Sequence, residues 1–295
     1  MIEGHPVLLP KLTLTFNYVL ILEWLSTQDR RTGEELHQFL QGLPISTCLV
    51  RCDKVDDIRA ALKRAVANVG TRGIPVIHIE SHGSNPFQGR DVREAEFGLD
   101  AAPGLPWIEL GDWLAPLNEA SGFRLLVIGA TCWGFAAIAA MKVHEHVAPF
   151  ASAVGLSTGV DEGSLHDAMK ELYRVMVRGE GLRDAMQAAE RELRSPTEKL
   201  RGTSAPILAL RILRGVYDEV RTPEQRTERA NEILRKVQEA GFPVREGAEQ
   251  ELPDFLHDRG EARIKEAWDA WFPPSAQKAE PAYRLDWDWI RRTNL

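Results

Sequence analysis

From residue 17 to residue 213 the chain keeps repeating one pattern. A short apolar run is followed by a segment with apolar residues at helical spacing, and then by another apolar run. The apolar runs are 17–24, 46–52, 74–81, 123–131, 150–156 and 205–213, and each reads as a strand. Residues 32–43 carry Leu36, Phe39 and Leu40 on one face, with Glu34 and Glu35 in the first turn. Val55, Ile58, Leu62, Ala65 and Val66 repeat at helical spacing behind Asp53, which reads as an N-cap. Further helices are predicted over 109–119, 136–145, 165–178 and 182–193. Strands that alternate with helices in this way demand a parallel sheet with helices on both faces. The expectation is an α/β fold, a three-layer sandwich around a mostly parallel six-stranded sheet.

Beyond Leu213 the character changes. Residues 222–240 read as a charged helix, and 241–295 hold prolines together with Trp268, Trp271, Trp287 and Trp289. The expected division is a domain over 1–215 and a helical C-terminal extension over 216–295. Those tryptophans read as packing a small appendage onto its parent domain, with a binding surface as the other use of such aromatics.

Composition narrows the function classes. The chain has 295 residues, 44% apolar and 27% charged, as in an ordinary globular protein. Its net charge of −7 argues against direct binding of nucleic acid, which calls for a basic face. The apolar stretch 18–22 is too short to span a bilayer, and the N-terminus lacks a basic leader. A cytoplasmic location is expected, with no membrane contact. The three cysteines, Cys48, Cys52 and Cys132, lack metal-type spacing and read as reduced thiols. Cys48 and Cys52 read as core residues of a strand. No metal and no organic cofactor is expected.

Two of the runs end in reactive side chains. Ile74-Pro75-Val76-Ile77-His78-Ile79-Glu80-Ser81 stops at His82-Gly83, and the run 123–131 stops at Cys132. In open α/β sheets the functional crevice lies at the carboxyl ends of the strands. Neighbouring strands would there bring a thiol and an imidazole face to face. The imidazole can take the thiol proton and later return it to a leaving amine. Gly83 lets backbone approach closely. Its amide, with that of Cys132, would form an oxyanion hole.

These residues resemble a known family. His82-Gly83 after an apolar strand, and Ile128-Gly129-Ala130-Thr131-Cys132, are similar to the His-Gly and Ala-x-Cys patterns of caspase-like cysteine peptidases, the caspase, metacaspase, gingipain, separase and CHAT group. Residues 153–162, 172–179 and 182–186 extend the likeness to CHAT-type proteases, so that it covers about 17–213. Where many CHAT members carry Ser or Thr and then Gly, this chain has Trp133-Gly134. The resemblance implies a caspase-like sandwich, His82 as base and Cys132 as nucleophile. It also implies a protein or peptide substrate, an activating or regulatory protein partner, and a role in prokaryotic defence or controlled cell death. Trp133, Asp161 and Glu162 become candidate substrate-binding residues. A carboxylate at 161 or 162 would suit a basic P1 side chain; equally, it would suit an N-cap of the following helix. Basic segments at 91–96 and 194–202 are candidate sites of self-cleavage.

Other residues read more simply. His78 alternates with Ile77 and Ile79 and reads as a satisfied core histidine. Glu80 shares the face of His78 and His82, where it would support His82 or cap a neighbouring helix. His144 and His146 read as solvent-facing. Two further functions stay open. One is a catalytically silent caspase-like adaptor that binds a protein partner. The other is an α/β enzyme that uses Cys132 on a small molecule, although the sequence has no glycine-rich phosphate loop.

Overall fold

A computed structural model of the chain describes residues 16–84, 95–99, 104–141, 147–195, 197–219, 221–239, 243–245 and 247–291. The chain forms two compact units that meet in sequence between Ala205 and Pro206. That division falls before the expected one at 215.

The larger unit is an α/β sandwich. Its strands are β1 (Tyr18–Trp24), β2 (Ser46–Arg51), β3 (Pro75–Gly83), β4 (Glu96–Gly98), β5 (Leu105–Pro106), β6 (Leu126–Ala130), β7 (Ser152–Leu156) and β8 (Leu200–Ser204). The main sheet runs β2-β1-β3-β6-β7-β8. Its first five strands are parallel, and β8 runs antiparallel to β7. The small antiparallel pair β4–β5 hangs from the end of β3. β1, β6 and β7 are buried at every position, as strands covered on both faces must be.

The helices follow the strand order. α1 (Thr32–Gln41), α2 (Val55–Arg72), α3 (Trp107–Ala120), α4 (Glu162–Val177) and α5 (Leu182–Glu190) belong to this unit. On one face Val19, Ile21, Val76, Leu126, Ile128 and Val154 pack against Leu36 and Leu40 of α1, Leu172 and Tyr173 of α4, and Ala185 of α5. The alternate strand residues turn to the opposite face. The sequence pattern is thus realised as a mostly parallel sheet between helical layers.

Where α1 begins, the sheet supplies its cap. Arg31 at the N-cap makes no side-chain cap bond. Instead the fully buried Glu23, at the end of β1, accepts the Glu34 N–H at 3.0 Å. The same carboxylate lies 3.4 Å from Arg31 and 3.6 Å from Arg51. Gly33 makes this possible, because a Cβ there would stand 3.0 Å from Glu23 Oε1. At α2 the cap position is Lys54, one residue after the expected Asp53, and the Asp57 carboxylate accepts both of their N–H groups.

Two expectations are corrected. Residues 205–213 form part of a helix, α6 (Ala205–Asp218), and the sixth main strand is the preceding β8. A continuous apolar run has no period of its own. Pro206 suits the first turn of a helix and would cost a strand a ladder donor. The helix expected over 136–145 is a 3₁₀ segment, Gly134–Ala140. The tight turn follows from backbone contact, since a Cβ on Gly134 would lie 2.1 Å from the Gly129 carbonyl oxygen, and one on Gly155 2.3 Å from the Gly134 carbonyl carbon. His144 and His146 lie outside the described residues, as does most of 91–96.

The second unit is helical, with α7 (Pro223–Glu239), α8 (Ala248–Trp271), α9 (Pro274–Ala279) and α10 (Trp287–Arg291) after α6. Trp268 and Trp271 are fully buried. Trp268 packs on Phe272 at 4.8 Å between ring centroids, and Phe272 stacks on Tyr283 at 5.0 Å. The Trp268 indole N–H donates to the Tyr283 carbonyl at 2.8 Å. These aromatics are the unit's own core. Among the described residues no helix is long and apolar enough to cross a membrane.

The buried cap gives a direct test. Glu23→Ala leaves the Glu34 N–H without its acceptor and is expected to lower stability by about 1–3 kcal/mol in urea unfolding. Arg51→Ala, at an exposed partner of the same carboxylate, is expected to cost no more than about 1 kcal/mol.

Candidate active site

The register of two strands builds the site. β3 pairs with β6 in parallel, and the last pair is Glu80 with Ala130. His82 stands two residues further on in β3, and Cys132 stands two residues further on in the turn that follows β6, so both emerge at the same edge of the sheet. Both line one cleft of about 220 Å³, with walls from Leu25, Ala130, Val160 and Leu165.

Each reactive group has a partner, and the two are not bonded to each other. The Cys132 thiol donates to the Val160 carbonyl at 3.9 Å. His82 Nε2 lies 3.1 Å from Asp29 Oδ2. Asp29 also accepts the Ser26 N–H at 2.7 Å, which fixes the loop behind β1. Burial pushes the Asp29 carboxyl up, but the Ser26 N–H and His82 outweigh it and hold the group below its usual value. Asp29 therefore stays a carboxylate at neutral pH. Its bond to His82 is lost only as the pH falls through that lowered value and Asp29 takes up a proton.

Gly83 faces the backbone of Cys132. A Cβ there would lie 1.8 Å from the Cys132 carbonyl oxygen and 2.8 Å from Thr131 Oγ1. Thr131 Oγ1 donates to that same carbonyl at 2.9 Å. The close approach that calls for glycine is thus made by Cys132 itself. Trp133, the next residue, sits in the left-handed region with φ 59°, and its N–H donates to the Thr158 carbonyl at 3.1 Å. A non-glycine residue there carries strain of about 1–3 kcal/mol. Trp133 is not among the residues that line the cleft.

The two acidic candidates separate. Asp161 caps α4 by accepting the Ser164 N–H at 3.0 Å, and it pairs with Arg194 at 2.9 Å. Glu162 lines the cleft and Asp161 does not. Glu80 also lines it, receiving His78 Nε2 and the Thr32 hydroxyl, each at 2.9 Å. His78 is the satisfied core histidine that its position in β3 implies, with Nδ1 2.9 Å from the Tyr173 hydroxyl. Among the described residues no group of three or more His, Cys, Asp or Glu side chains is placed to hold a metal ion.

Asp29, Thr32 and His166 join the site without a signal in the sequence reading. Asp29 lies in an aperiodic loop, while Thr32 and His166 look like ordinary helix positions. The other thiols stand apart from the cleft. Cys52 is buried, and burial first, then Asp57 and Asp53, push its thiol up to about 12.

Comparison with protein-family models finds no match to this chain. A search of curated proteins likewise finds no matching relative.

Two outcomes follow. Gly83→Ala forces a methyl into the Cys132 carbonyl and is expected to cost about 1–3 kcal/mol of stability, read by thermal unfolding, as overpacked sites do. In alkylation with iodoacetamide at pH 8, peptide mapping should find Cys132 modified well ahead of Cys52.

Proposed function

We propose that the chain is a cysteine endopeptidase in which Cys132 is the nucleophile, His82 the general base and Asp29 a positioning residue for the imidazole. The observation that carries this reading is the shared cleft. A thiol and an imidazole line it from the ends of paired strands, and one imidazole nitrogen, Nε2, is held by a carboxylate.

The chemistry follows from that arrangement. With Nε2–H donated to Asp29, Nδ1 holds the free lone pair. When the thiol leaves the Val160 carbonyl, Nδ1 takes its proton and the thiolate attacks the scissile carbonyl carbon. The tetrahedral oxyanion forms beside Gly83 and Cys132, whose amides are the proposed donors. His82 then gives the proton to the leaving amine, and the C–N bond breaks. Water, deprotonated by Nδ1, attacks the thioester and releases the acid. Asp29 stabilises the imidazolium at each transfer.

The resemblance to caspase-like peptidases supports the same assignment. It is the sole ground for the wider setting, a cytoplasmic defence or cell-death system with an activating protein partner. One observation favours a second reading. The thiol is bonded to Val160 and not to His82, as it would be in a silent adaptor that binds a protein without cutting it.

Labelling separates the two. Peptidyl acyloxymethyl ketones should modify Cys132 in the wild type, and mass spectrometry should find none in Cys132→Ala. His82→Ala is expected to slow labelling by about 10²-fold or more. Asp29→Asn should slow it too and change its pH profile, since an amide does not support the imidazolium. An adaptor predicts no labelling at Cys132 that depends on His82.

A further inference from the structure

We infer that Glu80, on the floor of the cleft, selects the substrate: it receives the cationic head of a lysine or arginine side chain on the residue whose carbonyl Cys132 attacks. This rests on the peptidase reading and names its substrate class.

The strand geometry puts Glu80 in place. It stands two residues before His82 in β3 and directly opposite Ala130, two residues before Cys132. Only 4% of it is exposed, and it lines the cleft. A carboxylate has about four acceptor positions. His78 Nε2 fills one on Oε1, and the Thr32 hydroxyl fills one on Oε2. The carboxylate can only accept, so His78 donates to it from Nε2, and Nδ1 is then the acceptor for the Tyr173 hydroxyl. Burial, then Glu80, holds that hydroxyl well above its usual value, so it keeps the proton it donates. The network points its donors at the carboxylate and leaves the remaining acceptor positions to a ligand.

His166 is the independent observation. It is 1% exposed, lines the same cleft, and neither ring nitrogen makes a hydrogen bond. Its Nε2 lies 3.1 Å from Glu35 Oε2, close enough for a charge contact but without the alignment of a bond. Burial, then Lys170, holds the imidazole below its usual value, so one ring nitrogen is a free acceptor at neutral pH. A buried polar group without a partner is rare and asks for a ligand. Here the ligand needed is a donor.

The remaining charges agree. Arg30 at the rim is bound by both Glu35 oxygens, at 2.9 and 2.6 Å, and its charge is matched there. Asp29 holds His82, and Glu162 adds a second carboxylate to the lining. The apolar walls suit the alkyl stem of a long side chain, and its ammonium or guanidinium meets acceptors at the floor. An aspartate side chain would bring a second carboxylate against Glu80. Asp161, engaged as helix cap and with Arg194, is not free for this role.

The test uses the full chain and five acyloxymethyl ketones identical except at P1: arginine, citrulline, lysine, leucine and aspartate. Citrulline keeps the shape of arginine without the charge. The readout is the rate of labelling at Cys132. The wild type should prefer arginine over citrulline by roughly 10²-fold. Glu80→Gln should bring that ratio to within a few-fold while labelling by citrulline persists, and Glu162→Gln should leave most of the preference. A wild type that labels as fast with citrulline, leucine or aspartate overturns the role of Glu80 and leaves the peptidase reading standing. So does a preference that survives Glu80→Gln or disappears in Glu162→Gln. If Glu80→Gln does not fold, the wild-type ratio and Glu162→Gln still decide. Failure of every probe, with Cys132 still open to iodoacetamide, overturns the peptidase reading and the role of Glu80 together.

Discussion

The parallel pairing of β3 with β6 is the constraint on which the site depends. In a parallel ladder both strands finish at the same edge, and a period of two sends equivalent residues to the same face. Fixing Glu80 opposite Ala130 therefore fixes where His82 and Cys132 emerge. Helices that follow strands in such a sheet begin at that same edge. α1 and α4 accordingly bring their N-termini toward the cleft, each beside a carboxylate, Glu23 for the one and Asp161 for the other. The helix dipoles favour that placement.

Much of this was legible in the sequence, for a physical reason in each case. Central strands are apolar on both faces, so β1 and β3 stand out as β-branched runs with abrupt ends. The residues at those ends, His82 and Cys132, stand out because polar groups seldom terminate a buried run, and both line one cleft. Asp29 was not legible: its loop has no period, and its partner is far off in sequence. The run at 205–213 was misread because apolar content alone does not separate a strand from a buried helix, and Pro206 was the residue that could have decided it. Asp161 matched both an acidic binding group and a helix cap. Only its bond to Ser164 distinguishes them.

The polar row of β3 shows how the fold accommodates charge in its core. His78, Glu80 and Tyr173 are buried, yet each has a partner, and together they form one chain from the interior of the helical layer to the cleft. Buried networks of this kind are tolerated when each member is satisfied. Here the chain ends in an acceptor that faces the cleft, so the packing of α4 on the sheet and the chemistry of the cleft are linked through Tyr173.

The glycines around Cys132 have a different consequence. Gly83 meets the Cys132 peptide on one side, and Gly134 meets Gly129 and Gly155 on the other, in each case backbone against backbone. The backbone that carries the thiol is therefore held largely by main-chain contacts, whose geometry hardly varies. Related sequences could exchange most of the aliphatic core, with the usual small shifts of helices over the sheet, and still hold the thiol in place. Drift in the core and constancy at the thiol become compatible.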